Sequence, residues 1–121
     1  MAFDYTRTSK VRPEWADDKG YLPELLLGDD IRLKQILINL VKNALKFTIG
    51  GLIRISITFD ENAELLKVHV LDTGKGIEEA DTSQLFKKFG KLQRTAEMNS
   101  EGIGMGLMIC KNLVEKNGGT I

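Results

Sequence analysis

The chain separates into segments with distinct hydrophobic periods. Over residues 52–59 the pattern alternates strictly, with Ile53, Ile55, Ile57 and Phe59 on one side and Arg54, Ser56 and Thr58 on the other. A period of two predicts a half-buried strand. Asp60-Glu61-Asn62-Ala63-Glu64 reads as a polar turn, and residues 65–71 as a second strand that closes a hairpin. Upstream, Leu33, Ile36, Leu37, Leu40 and Ala44 recur at helical spacing, with Ile38, Val41 and Leu45 in a second apolar stripe. This predicts a helix capped by Asp29 or Asp30 and running to about Phe47, with Thr48, Gly50 and Gly51 as its stop. A short helix is predicted over 83–89. A final helix is predicted over 105–117, with Leu107, Cys110, Leu113 and Val114 facing the core and Gly118-Gly119 ending it. Residues 1–27 show little periodicity and read as an irregular arm with a short strand near 24–27. Thr120-Ile121 reads as the first step of another strand, so the C-terminal strand or strands are expected to be cut off, or replaced by residues of the arm. Helices alternating with adjacent antiparallel strands predict an α+β, two-layer sandwich, its mixed and mostly antiparallel sheet covered on one face by helices.

Composition narrows the functional classes without naming one. At 121 residues, 42% hydrophobic and 28% charged, the chain fits one soluble globular domain able to bury a core without staples. Lys plus Arg is 17 and Asp plus Glu is 17, and this balance argues against a nucleic-acid partner. No apolar run approaches the roughly 18 residues of a membrane span, and no signal-peptide pattern opens the chain. The single cysteine, Cys110, excludes an internal disulfide and a cysteine zinc site, and fits a reducing compartment. The neutral total hides local inequality: acids gather in the arm and around 72–81, whereas 82–96 holds Lys87, Lys88, Lys91 and Arg94 with no acid.

Four constellations carry chemistry. Along the predicted first helix Gln35, Asn39, Asn43 and Lys46 are spaced by four, four and three, which puts them on one face. Buried amides of this kind commonly just hydrogen-bond to neighbouring loops. An amide oxygen is also a hard ligand for Mg²⁺, and a lysine one turn on reaches a phosphate. Asp72-Thr73-Gly74-Lys75-Gly76-Ile77 ends the second strand. It reads either as an ordinary Asp-opened turn or as a carboxylate that accepts from an exocyclic amine, as on adenine. Gly102-Ile103-Gly104-Met105-Gly106 opens the last helix, as a hinge or as an anion cradle. It lacks the P-loop ending and the Rossmann spacing. The basic stretch between these glycine loops is either a solvated face or a cover for a polyphosphate, with Phe86 and Phe89 as core anchors.

Taken in order, these pieces resemble the catalytic ATP-binding domain of sensor histidine kinases, in the GHKL, or Bergerat-fold, ATPase superfamily. Residues 32–48 look like its N box, 72–77 its G1 box, 85–89 its F box and 102–107 its G2 box; the likeness covers 28–121. It implies Mg-ATP binding, with Asn43 on the Mg²⁺, Asn39 beside it and Lys46 near the outer phosphates. Asp72 would accept from the adenine amine, with Gly74 and Gly76 shaping that pocket. Gly102, Gly104 and Gly106 would let a lid spanning 81–101 approach the phosphates, and Ile77, Phe89 and Leu107 complete the nucleotide-binding set. Hydrolysing members of the superfamily carry a glutamate at the position of Asn39; an amide cannot take that proton, which favours phosphoryl transfer over hydrolysis. The only histidine, His69, lies mid-strand and is read as a pleat residue, not an acceptor. The resemblance therefore implies a catalytic-domain fragment that binds ATP or ADP and has little activity alone. It would serve a phosphoacceptor-histidine dimerisation domain and, downstream, a response-regulator receiver domain. The fragment itself is expected to be a cytoplasmic monomer without membrane contact, from a parent with or without a membrane anchor. A clamp-type ATPase and a non-catalytic nucleotide sensor are the alternatives.

Overall fold

The computed structural model describes residues 10–16, 22–87 and 105–121. The elements run β1 (Lys10–Ala16), α1 (Asp30–Phe47), β2 (Gly50–Asp60), β3 (Leu65–Asp72), α2 (Glu79–Thr82) and α3 (Gly106–Lys116). The fold is α+β with a mixed sheet in the order β1-β2-β3 among the described residues. β1 lies parallel to β2, from Lys10 opposite Gly50 to Ala16 opposite Ser56. β2 and β3 form the antiparallel hairpin, from Ile53 opposite Asp72 to Asp60 opposite Leu65. The described residues fall into two compact units, one holding 44–75 with the segment before 29, the other holding 29–43 with 76–121.

In the first unit the sheet meets the last turn of α1. Ala44 and Ile53 form the buried centre, with Leu45 and Val70 packed against them. The hairpin turn is held by Asp60, which accepts from the Ala63 N–H at 3.1 Å and pairs with Lys67 at 2.9 Å. The Lys67 ammonium and the Ala63 N–H hold the Asp60 carboxyl below the ordinary carboxylate range. Ser56 departs from the alternation: it is buried, although Arg54 on the same side is exposed.

In the second unit α1 begins as its sequence dictates. Asp29 caps it, its Oδ1 accepting from the Arg32 N–H at 3.1 Å. Lys34 lies 2.7 Å from Asp30 one turn away and lowers that carboxyl's pKa. Leu33 and Ile38, placed in the apolar stripes by periodicity, stay exposed. α3 ends in a Schellman stop: Gly118 is left-handed (φ +76°), and the Gly118 and Gly119 N–H groups donate to the carbonyls of Glu115 and Val114, each at 3.0 Å.

Several boundaries differ from the expected ones. Residues 24–27 form no strand; Leu25 and Leu27 are fully or nearly fully exposed, and the run has no alternation to bury one face. The arm's strand is β1, which tolerates Pro13 because it is an edge strand among the described residues. Gly50 and Gly51 are not the stop of α1 but the first residues of β2. Helical geometry falls on 79–82 and not on 83–87, and the last two residues of the predicted 83–89 helix lie outside the described residues: Glu79 and Asp81 favour the first turn, and the Thr82 hydroxyl donates to the Glu79 carbonyl at 2.7 Å. Residues 83–87 then follow as turns closed by i→i−3 bonds. Thr120-Ile121 carries no strand pairing, since two residues beyond a helix stop are too few to make a ladder. Among the described residues no helix is long and apolar enough to cross a membrane.

Candidate functional site

Asp72 is the last residue of β3, and its carboxylate is fixed by local bonds. Its Oδ1 accepts from the Gly74 N–H at 2.8 Å, closing a two-residue turn of the kind Asp favours. The same oxygen accepts from the Thr48 hydroxyl at 3.5 Å. Thr48 is the first residue beyond α1; it is only 2% exposed, and its own N–H donates to the Ala44 carbonyl at 3.1 Å. Asp72 itself is exposed, so a carboxylate with a fixed orientation faces solvent.

The turn after Asp72 is clamped to β2 by Thr73. Its hydroxyl accepts from the Leu52 N–H at 2.9 Å and donates to the Leu52 carbonyl at 3.4 Å, while its own N–H donates to that carbonyl at 3.1 Å. Room for this hydroxyl comes from Gly51, which has φ +143° and where any Cβ would collide with Thr73 Oγ1. A Cβ on Gly74 would meet the Phe47 carbonyl oxygen at 2.5 Å and Asp72 Oδ1 at 2.7 Å. Gly76 is left-handed (φ +71°) with open space around it, and the adjoining Ile77 is exposed. Sequence reasoning placed Asp72, Gly74 and Gly76 here but missed Thr48, Thr73 and Gly51. The available signal was a threonine immediately after the helix and another immediately after the aspartate.

On α1 the polar row is present: Asn39, Asn43 and Lys46 are all half-buried, whereas Gln35 is exposed. The Lys46 ammonium lies 5.8 Å from the centroid of the neighbouring Phe47 ring. In the second unit α3 lies against Asn39: a Cβ on Gly106 would stand 3.9 Å from the Asn39 amide, an ordinary contact. One turn further, the fully buried Cys110 thiol donates to the Ile36 carbonyl at 3.8 Å. Burial pushes this thiol's pKa up, and its hydrogen bond with the Asn39 side chain opposes the shift in part. Cys110 is therefore expected to resist a thiol reagent at pH 8 in the folded protein and to react at least about tenfold faster once unfolded. Equal rates by absorbance would refute the burial. Leu107 is half-buried in the first turn of α3, and Phe86 lies under Lys111, whose ammonium is 5.8 Å from the ring centroid. Phe89, Gly102, Gly104 and most of the predicted lid, including Lys88, Lys91 and Arg94, lie outside the described residues.

Comparison with known proteins settles the family. Residues 28–121 match the family described as histidine kinase-, DNA gyrase B- and HSP90-like ATPase, and the chain belongs to it. Among curated proteins, the virulence sensor protein BvgS of Bordetella pertussis is 46% identical over 99 residues, covering 79% of this chain and 8% of that protein. The sensor histidine kinase GacS of Pseudomonas protegens is 41% identical over 102 residues, covering 82% of this chain and 11% of its own. The signal transduction histidine-protein kinase BarA of Escherichia coli K12 is 39% identical over 106 residues, covering 85% of this chain and 12% of its own. The chain thus spans only 8–12% of these relatives' length. Among solved structures, full-length ShkA in complex with AMPPNP is similar at a TM-score of 0.74 and 30% identity, over 89% of this chain and 21% of that one.

Proposed function

We propose that this chain binds ATP with Mg²⁺ and donates the γ-phosphoryl group to a histidine on a separate helical dimerisation domain in two-component signalling. The observation that carries the reading is the Asp72 carboxylate, held by Gly74 and Thr48 at a strand end and open to solvent, in a chain of this ATPase family. Its relatives' names, sensor histidine kinases among them, favour phosphoryl transfer within that family. In this reading Asp72 accepts from the adenine amine, and Gly76 and Ile77 border the base. Lys46 approaches the outer phosphates. Gly102, Gly104, Gly106, Phe89 and Leu107 serve the lid side. Residues 28–121 are the working domain, and the arm before it lends β1 to the sheet.

The donor set suits Mg²⁺. Among the described residues no group of three His, Cys, Asp or Glu side chains could cage a metal, so a cation here would depend on phosphate oxygens and water. A half-buried amide oxygen, that of Asn43, is a fitting protein ligand for such an ion, with Asn39 one turn away on the same helix. When bound, the ion supplies charge neutralisation on the phosphates. The chain's own work is positioning. The acceptor imidazole nitrogen forms the new N–P bond as the bond from phosphorus to the bridging oxygen breaks, ADP leaves with that electron pair, and the imidazole proton passes to solvent. No general base is required of this chain, which suits an amide at Asn39.

The chain would act as a monomer in the cytoplasm, with a receiver domain taking the phosphoryl group afterwards. Titration calorimetry with Mg-ATP is expected to give saturable heat, and steady-state hydrolysis by the chain alone is expected to be negligible. Adding a histidine-bearing dimerisation domain from a relative is expected to yield acid-labile phosphohistidine. Rapid hydrolysis without an acceptor would instead favour the clamp-type ATPase reading, and the absence of binding heat would overturn the nucleotide site itself.

A further inference from the structure

Thr48 is almost inaccessible to solvent, and its hydroxyl is directed at the Asp72 carboxylate. A buried hydroxyl without a partner is costly, and the Thr48 hydroxyl is directed at Oδ1 of Asp72 across 3.5 Å, a long bond beside the 2.8 Å one from Gly74. Rotation of a carboxylate about its last bond is soft. The Gly74 N–H alone pins Oδ1 from the following turn. Thr48 adds a second donor from a different element, the end of α1, where its backbone is itself bonded to Ala44. Two donors converging on one oxygen from separate elements define the carboxylate plane and hence where the other oxygen points.

We propose that Thr48 is a positioning residue for base specificity: by fixing Asp72 Oδ1 it aims the carboxylate at an exocyclic amine, and so sets the preference for a 6-amino over a 6-oxo purine nucleotide. This rests on the reading of Asp72 given above. A fixed acceptor rewards an amine and repels a carbonyl oxygen, whereas a carboxylate free to rotate can turn away from the carbonyl and loses much of that discrimination. Threonine suits the position because its hydroxyl supplies the bond while its methyl group fills the space beside Gly51, 3.6 Å from where a Cβ would stand there.

The test compares ATP and inosine triphosphate, each with Mg²⁺, by titration calorimetry on the whole chain. Wild type is expected to prefer ATP. Thr48→Val, which keeps the shape and removes the donor, is expected to weaken ATP binding about tenfold while moving the inosine nucleotide less than about twofold. Thr48→Ser is expected to restore the preference. If Thr48→Val does not fold by circular dichroism, Thr48→Ala carries the same expectation. Equal losses for both nucleotides would reveal a merely structural role and overturn the proposal. A preference lost in Asp72→Ala but retained in both hydroxyl-deleted variants would also overturn it, leaving the Asp72 reading intact. A wild type with no preference, or with no binding, would overturn that reading and the proposal together.

Discussion

Asp72→Asn is expected to abolish nucleotide binding while leaving the fold intact. The exchange keeps size and shape but replaces one carboxylate oxygen with an NH₂ group. Oδ1 accepts from both the Gly74 N–H and the Thr48 hydroxyl, so the amide must keep its oxygen there. The NH₂ group then occupies the second position, where the base amine would donate, and two donors face each other. A hydrogen bond to a charged acceptor contributes about 1.5–3 kcal/mol, and a donor that the bound base would cover without offering it an acceptor costs a similar amount. The combined loss corresponds to at least about a hundredfold in affinity. Asp72→Ala removes the acceptor without adding a donor, yet leaves Gly74 and Thr48 without their partner. It is expected to bind about as poorly and to melt at a lower temperature than Asp72→Asn. Calorimetry with Mg-ATP and thermal melting of both variants check this. An Asp72→Asn variant that binds within about threefold of wild type would remove the carboxylate from base recognition.

The parts of this fold that announce themselves are those in which one face is buried and the other is not. β2 and β3 alternate, and α1 repeats at helical spacing behind an Asp29 cap, so periodicity alone predicts them. α3 was equally clear because its stop, Gly118-Gly119, has both a sequence signal and a positive φ to match. β1 was not. Its residues do alternate, Lys10, Arg12 and Glu14 against Val11, Pro13 and Trp15, but a proline within a short run argues against a strand until the strand is known to lie at an edge. The turns over 83–87 were hidden for another reason: what separates them from a helix is the register of backbone bonds, to which side-chain period is almost blind.

The candidate site divides in the same way. Asp72, Asn39, Asn43 and Lys46 were legible because each is a polar residue in a setting that needs explaining. Thr48, Thr73 and Gly51 were not, since their roles arise only when β2, β3 and the end of α1 converge. Thr48 lies 24 residues from its partner Asp72, and Thr73 lies 21 from Leu52. No local pattern encodes such pairings. They are also what converts an ordinary Asp-opened turn into a held carboxylate, so the residues that hold Asp72 and its turn were less visible than Asp72 itself.

Gly74 and Gly76 look alike in sequence and should respond very differently to alanine. At Gly74 a Cβ would lie 2.5 Å from a backbone carbonyl oxygen, that of Phe47, and 2.7 Å from Asp72 Oδ1. The Phe47 oxygen is backbone and cannot swing aside, and the Asp72 oxygen can do so only by giving up its bond from the Gly74 N–H, so either the turn moves or the carboxylate turns. Overpacking of this kind costs about 1–3 kcal/mol, here paired with displacement of the group proposed to read the base. At Gly76 nothing stands within 4 Å of the added carbon, and the penalty is that of a left-handed alanine alone, about 1 kcal/mol. Gly74→Ala is therefore expected to lose more than about tenfold in Mg-ATP affinity, and Gly76→Ala to stay within about threefold once both are measured well below their melting temperatures. The reverse order would mean that freedom of the chain after the turn, not the seating of Asp72 against the end of α1, governs binding. Comparable melting temperatures with divergent affinities would separate the two effects most cleanly, because backbone strain at Gly76 acts on stability while the collision at Gly74 acts on both.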